Sequence, residues 1–350
     1  MTRLLAQVAE KSGVSAATVS RVLNGKPGVS PTTRQSVLMA LDDLGYERPT
    51  LLRGERARLA GLVLPELQNP IFPAFAEVIG GAMAQQGLTP VLCTLTKGGA
   101  SEADYVDLLL EVGVSGVVFA GGLFAEADAP HEHYYRLAEL NVPVVLINAP
   151  ADGLGFPCVA CDDGFAIEQT WRHLTSLGHE RIGLILGPED HVPSRRKLTA
   201  ARRVAQAAGM PLAEEFVERS IFLLEGGRTA AARLLGRGVT AIVCGSDPLA
   251  LGAIKAARKR GLNVPSDVSI VGFDDSAFMT ATEPALSTVR QPIEAMGRAA
   301  VDLLCSQIRG LQPHVRELLF DAELVVRKST APPPTSALLS NAPPGGHGRR

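Results

Sequence analysis

In the stretch GVSAATVSRVLNG, residues 13–25, hydroxyls, small side chains and one arginine share a segment barely two helical turns long. With Val14, Val19 and Val22 turned inward, Ser15, Ala16, Ala17, Thr18, Ser20, Arg21 and Asn24 face outward or lie at the edges. These groups can read DNA. Small residues near a helix N-terminus let the backbone approach base edges, hydroxyls reach phosphates, and an arginine fork can bond guanine at O6 and N7. The alternative for the same pattern is an αα-hairpin that merely packs on the body of the protein.

Three short helices would position that surface. The first runs from about Leu4 to Lys11, with Leu5, Val8 and Ala9 on one face, and the second is the stretch itself, with Ser15 as N-cap. Gly13 allows the tight turn between them, and Ala9 is small where they cross. The third helix opens with Ser30 as N-cap and Pro31 at its first position, places Val37, Leu41 and Leu44 at helical spacing, and stops at Gly45. After the basic stretch GYERPTLLRGERAR the pattern becomes alternating βα. Continuous apolar runs predict strands at 61–65, 89–93, 115–120, 143–148, 181–186, 240–246 and 268–273. Between and after them, helices are predicted near 72–86, 101–112, 164–177, 197–209, 227–237, 248–260 and 292–309. Strands without alternation are covered on both faces, so the fold class is an all-α helix-turn-helix headpiece followed by an α/β core of doubly wound parallel sheets in two lobes. Ligands of such sheets bind beyond the carboxyl ends of the strands, and two lobes leave a cleft between them.

Composition narrows the function. The 350 residues are 46% hydrophobic and 20% charged, with a net charge of −2. Residues 1–58 carry nine Lys/Arg against five Asp/Glu, a balance of +4, and the remainder carries −6. A basic module on a mildly acidic body points to one part that meets an anionic partner. No signal-peptide run opens the chain and nowhere do 18 apolar residues run together, which predicts a cytoplasmic protein without membrane contact. Five scattered cysteines fit reduced thiols, and the C-x-x-C of Cys158 and Cys161 has neither the further ligands of a zinc site nor the helix start of a redox pair. No G-x-G-x-x-G follows the first strand, and P-loop, G-x-S-x-G and H-E-x-x-H motifs are missing. The carboxylate pair Asp162–Asp163 precedes a helix, where an N-cap role is expected, and seven histidines make no cluster. The reading is therefore of a protein that is not an enzyme and carries no cofactor or metal. A sugar-binding transport protein is the other rival, opposed by the lack of a signal peptide and by the headpiece.

The run VAEKSGVSAATVSRVLNGKPGVSPTTRQSVLMALDDLGY resembles the DNA-binding headpiece of lactose-repressor (LacI/GalR) family transcription regulators. The resemblance continues through PELQNPIFP, SLGHERIGLILGP, GSDPLALGAIKAARKRGLNVPSDVSIVGFDD and PALSTVRQP, covering roughly residues 4–328. It implies a homodimer whose headpieces read a palindromic double-stranded operator. Arg21 matches the family's base-reading arginine. Ser15, Thr18, Asn24, Ser30 and Thr33 match its phosphate contacts, and Ala16 and Ala17 fall on the positions that set operator preference. The implied layout is a headpiece at 1–46, a hinge or linker at 47–59, a two-lobed effector and dimerisation domain at 60–329, and a disordered tail at 330–350. Within the core, one lobe is expected at about 60–154 and 288–318, the other at about 155–285 and 319–329. The hinge segment is shorter than is usual in the family. Either Leu51 or Leu52 wedges into the minor groove from a short helix, or the segment is a solvated basic linker.

The resemblance also implies a small-molecule effector, most often a sugar, in the cleft. Asp274, the first aspartate of GFDD, matches the family's main hydroxyl-binding carboxylate, and Phe222 its stacking aromatic. Ile71 and Phe72 match the wall after the first strand, while Asn148, Ser246 and Asp247 sit at other strand ends. Lys197 stands where the family commonly has a clamping arginine, with Arg196 beside it; a lysine lacks the bidentate fork. GYERP, NPIFP and LVVRKST look most like the maltose and maltodextrin regulators of actinobacteria. The expected mode is a repressor released by sugar, with activation or co-repression by a sugar phosphate as the alternative.

Overall fold

The computed structural model describes residues 2–23, 28–44, 58–96, 98–151, 153–311 and 315–334. Asn24, Leu51 and Leu52, most of the expected hinge and most of the expected tail lie outside these residues. At the N-terminus, α1 (Thr2–Ser12), α2 (Ala16–Leu23) and α3 (Pro31–Asp43) enclose a core of Val8, Val19, Val22, Val37, Ala40 and Leu41. Gly13 takes a φ of +68°, a conformation that costs glycine little, and the Val14 amide then returns to the Ala9 carbonyl at 3.2 Å.

Two six-stranded sheets follow. The first has the order β11-β5-β4-β3-β1-β2, all parallel. In chain order these strands are β1 (Arg58–Leu64), β2 (Leu88–Thr94), β3 (Val117–Phe119), β4 (Val144–Ile147), β5 (Cys158–Cys161) and β11 (Glu317–Phe320). One face is covered by α4 (Ile71–Gln85) and α11 (Ile293–Ile308), the other by α5 (Glu102–Glu111) and α6 (Glu132–Glu139). Ile71, Phe75, Ile79 and Met83, each four residues from the next, form the buried stripe of α4.

The second sheet has the order β12-β10-β9-β8-β6-β7. It comprises β6 (Ile182–Leu186), β7 (Val217–Arg219), β8 (Ala241–Cys244), β9 (Ser269–Asp274), β10 (Ser287–Arg290) and β12 (Glu323–Val325). All pairs are parallel except β10–β12, so β12 is an antiparallel edge. Its faces carry α7 (Asp163–Ser176) and α8 (Val192–Ala207) on one side, α9 (Leu224–Gly236) and α10 (Asp247–Lys259) on the other. Helices α9 and α10 touch backbone to backbone: a Cβ on Gly252 would lie 2.1 Å from the Leu224 carbonyl oxygen.

The strand pairing moves the lobe boundaries expected from sequence. β5 pairs with β4 and β11, so residues 158–161 belong to the first sheet rather than to the second lobe, and all of β11 joins it. β10, expected in the first lobe from residue 288, lies in the second sheet beside β9. β1 begins at Arg58 and takes the last residues assigned to the hinge, and α8 starts five residues before the expected 197. The lobe-boundary shifts come from short strands, and the α8 shift from a helix start with proline at its N-terminus, that hydropathy runs do not register.

Candidate functional site

On the headpiece, Ser15 and Ser30 cap α2 and α3 in the same way. The Ser15 Oγ accepts from the Thr18 amide at 3.1 Å and lies 2.9 Å from the Thr18 hydroxyl. The Ser30 Oγ accepts from the Thr33 amide at 3.1 Å and donates to the Thr33 hydroxyl at 2.8 Å. Four of the five expected phosphate contacts thus sit as two pairs at helix N-termini, where amide dipoles favour an anion. Ser15, Ala16, Ala17 and Arg21 are exposed, Thr18 and Ser20 half-buried.

Between the two sheets lies a cavity of about 460 Å³. Of the nine expected cleft residues, Ile71, Phe72, Asn148, Lys197, Phe222, Ser246 and Asp274 line it. Arg196 does not: its guanidinium turns to Glu317, with Nη1 to Oε1 at 2.5 Å and Nη2 to Oε2 at 3.2 Å, tying α8 to the first sheet. Asp247 does not either. Its Oδ1 accepts from the Thr288 hydroxyl at 2.6 Å and its Oδ2 from the Ser276 amide at 2.7 Å, so the carboxylate braces three segments of the second lobe. Ser246 lines the cavity, yet its Oγ accepts from the Leu249 amide at 3.4 Å as the cap of α10.

Two of the lining residues hold unusual backbone. Asp274 ends β9 at φ +116° and Asn148 follows β4 at φ +82°, conformations that strain an ordinary side chain and concentrate at functional positions. Gly121 and Gly122 after β3 also have positive φ, and a Cβ on Gly122 would meet the buried Glu102 carboxylate at 2.5 Å.

Sequence reasoning missed several members. Gln291 donates its Nε2 to Asp274 Oδ1 at 2.8 Å, and its own Oε1 is buried without a partner. Asp163, seen in the sequence only as half of an N-cap pair, leaves capping to Asp162, which accepts from the Phe165 amide at 2.9 Å. Asp163 instead forms a buried ion pair with Lys197, whose ammonium stands 4.0 Å from the centre of the Phe273 ring. His191 meets the Ser194 Oγ at 2.9 Å and sets its ring edge-on to Phe222, with centroids 5.1 Å apart. Ser194 Oγ also accepts from the Gly187 amide at 3.1 Å. Asn69 and Gln291 both stood inside quoted motifs, QNPIFP and VRQP; His191 and Ser194 carried no signal.

The charge of the cavity follows from these partners. Glu66, Glu126, Asp163 and Asp274 line it against the single ammonium of Lys197. Burial lifts Asp163 above the usual carboxylate range, against the pull of Lys197. Asp274 is raised well above it, by burial and then by the Asp247 charge, while Gln291, Lys197 and Asn69 oppose the rise. Burial, aided by Lys197, pushes His191 down to about 4, so the imidazole is neutral at pH 7. The cavity therefore offers acceptors and neutral donors, with a lysine already matched to a carboxylate. Among the described residues no helix is long and apolar enough to cross a membrane, and the five cysteines are buried free thiols. Three residues apart on β5, Cys158 and Cys161 point to opposite faces.

The chain matches known families along most of its length. Residues 4–49 match the family described as bacterial regulatory proteins, lacI family, and residues 171–330 the periplasmic binding protein-like domain. It is 51% identical to the HTH-type transcriptional regulator MalR of Streptomyces coelicolor, over 95% of this chain and 98% of that one. Among solved structures, a complex of the transcriptional regulator CelR with cellobiose superposes with a TM-score of 0.70 at 32% identity, covering 93% of this chain and 99% of the other. The lac repressor dimer bound to operator and the anti-inducer ONPF gives 0.74 at 27% identity, over 93% and 98%.

Proposed function

Since this chain belongs to the lacI family of bacterial regulatory proteins, we propose that it is a repressor released from its operator by a neutral sugar. The family consists of transcriptional regulators, not enzymes. On this reading the protein works in the cytoplasm as a homodimer, and its paired headpieces sit on a palindromic operator. Arg21 reads a guanine in each half-site, Ala16 and Ala17 offer only apolar contact, and Ser15, Thr18, Ser30 and Thr33 hold phosphates. The solved lac repressor, a dimer on its operator, supports that arrangement.

The observation that carries the choice of effector is the charge of the cleft. The one lysine among the described residues that line the cavity is already paired with Asp163, so a phosphate group would find no free cation there, whereas sugar hydroxyls would find hydrogen-bond partners at Asp274, Asn148 and Gln291. Phe72 and Phe222 supply apolar faces for a pyranose ring. The same balance speaks against a sugar phosphate as co-repressor. The CelR complex holds a disaccharide, and the 51% identity to MalR favours an α-glucosidic sugar such as maltose.

The test is fluorescence anisotropy on the DNA upstream of the protein's own gene, at physiological salt with competitor DNA, with and without maltose, maltotriose and glucose 6-phosphate. Tight binding released by a neutral sugar is expected. Binding that responds only to the sugar phosphate would overturn the choice of effector, and binding strengthened by sugar would overturn its sign.

A further inference from the structure

Asp274, whose carboxylate lines the cavity, is followed by a second aspartate. Their φ values of +116° and +54° lie on the positive side, which side chains rarely adopt, and such backbone persists only where its surroundings fix it. Three successive residues are fixed here, each by a different partner. Gln291 Nε2 donates to Asp274 Oδ1 at 2.8 Å, and the Ser276 amide donates to Asp247 Oδ2 at 2.7 Å. Between them Asp275 is held by two arginines, Arg290 Nε on its Oδ2 and Arg327 Nη2 on its Oδ1, each at 2.7 Å. We propose that Asp275 is a positioning residue for the effector: clamped by Arg290 and Arg327, it fixes the turn that aims the Asp274 carboxylate at the ligand. This rests on the reading of Asp274 as a sugar-binding group.

The clamp has the geometry for this. The Asp275 side chain is 7% exposed and that of Arg327 13%. A pair this buried returns little net stability, because desolvation offsets the attraction. Two charge-assisted bonds to separate oxygens of one carboxylate nevertheless fix its direction. Arg327 is itself pinned, with its Nη1 donating to the Leu286 carbonyl at 2.8 Å and its amide to the Ser287 Oγ at 2.9 Å. β9 and β10 are parallel neighbours with Asp274 beside Arg290. Arg290 directly precedes Gln291, so two consecutive residues at the end of β10 serve the two consecutive aspartates at the end of β9. With the Asp275 charge removed, one of these two side-chain links between the strand ends is lost.

None of Asp275, Arg290 and Arg327 lines the cavity, so an effect of theirs on sugar binding must pass through a residue that does. Asp274 is the adjacent one, joined to Asp275 by a single peptide bond. Asparagine tolerates the same left-handed backbone and keeps the side chain's shape, which makes Asp275→Asn a removal of charge rather than of volume. The arginines then lose their shared anion. Arg290 keeps only its outer link, Nη1 to Glu323 Oε2 at 3.3 Å, where the two side chains are 49% and 70% exposed and the pair holds little.

Isothermal titration of the full-length protein with maltose tests this through a double-mutant cycle. Asp275→Asn should weaken maltose binding about threefold to tenfold, the worth of about one hydrogen bond. Asp274→Gly deletes the carboxylate at a backbone angle that glycine adopts freely, and should cost at least as much. In that background Asp275→Asn should change affinity by less than about twofold, because nothing is left to aim. A merely structural role would instead give losses that multiply. Arg290→Gln, at a half-exposed position, repeats the cycle should Asp275→Asn fail to give a cooperative urea transition. It should weaken maltose binding about twofold to fivefold, again only with Asp274 present. Multiplying losses, or full affinity in both clamp variants, overturns the positioning role and leaves the neutral-sugar reading standing. Unchanged affinity in Asp274→Gly, or no maltose binding by the wild type, overturns that reading and the proposal with it.

Discussion

Replacing Lys197 by methionine would strand Asp163 in the cleft. Both side chains of this pair are more than nine-tenths buried, and breaking a buried pair by removing one partner leaves an uncompensated charge. The stranded carboxyl escapes by taking a proton, which sets a ceiling on the cost. An aspartate neutral in the fold and ionised near 3.9 when unfolded costs about 1.4 kcal/mol per pH unit above that value. The ceiling is therefore about 4 kcal/mol at pH 7 and about 1.5 kcal/mol at pH 5. Here the folded pKa lies above the unfolded one, so the variant gains stability relative to the wild type as the pH falls. Because burial already raises Asp163 in the wild type, part of the trend cancels and the deficit should shrink by up to about 2.5 kcal/mol between pH 7 and 5. Urea unfolding followed by tryptophan fluorescence reads this locally. The single tryptophan, Trp171, lies on the helix that Asp163 begins. Adding Asp163→Asn to Lys197→Met should restore most of the loss. A deficit equal at both pH values, or a double variant no better than the single, would refute the account of this pair.

Four further outcomes are expected. Arg21→Ala should weaken specific operator binding by about 2–6 kcal/mol, at about 1–3 for each of two half-sites, and leave sugar titrations unchanged; parallel loss of both would mean that the headpiece role is misassigned. Asp274→Asn should bind operator normally while its sugar affinity drops about threefold to tenfold, the worth of about one hydrogen bond, as read by anisotropy and calorimetry. Gly252→Ala drives a methyl into the Leu224 carbonyl and should lower stability by about 1–3 kcal/mol in the same urea assay. For His191, depressed to about 4, the stability of the neutral ring is complete above its unfolded value near 6.5 and is lost as pH falls toward 4. The difference between wild type and His191→Gln should therefore move about 2 kcal/mol against the wild type from pH 7 to pH 5.

The residues that sequence located share one property: they belong to long, strongly patterned elements or stand inside recognisable motifs. The headpiece core of Val8, Val19, Val22, Val37 and Leu41 was legible because helical spacing alone selects it. Asp274 and Phe72 were legible through their motifs. Arg196 was misplaced because residues 196 and 197 of one helix point about 100° apart, and only packing decides which faces the cleft. Asp163 was read as a cap because local sequence cannot show a lysine 34 residues away closing over it. The strands β5, β7, β10, β11 and β12 span three or four residues each. Their pairing is decided by neighbours from distant parts of the chain, so the lobe boundaries had no local signature.

The chain passes between the lobes three times, after Cys161, Arg290 and Phe320. Two groups that would grip a ligand, Asp163 and Gln291, stand on or beside those passages rather than at the rims of the lobes. A ligand drawing on them applies torque at the fulcrum. The far end of the arm is Arg58, where the headpiece segment enters β1, and the seven residues of that strand span about 20 Å from the cleft end. A rotation of about 5° at the fulcrum therefore carries Arg58 through about 2 Å, on the scale of shifts that repack interfaces. Two copies moving together would change the separation of their reading helices by about twice that. On the proposed reading the protein is in this sense geared: a small rearrangement of hydrogen bonds around a sugar would become a misfit of two headpieces on a rigid groove.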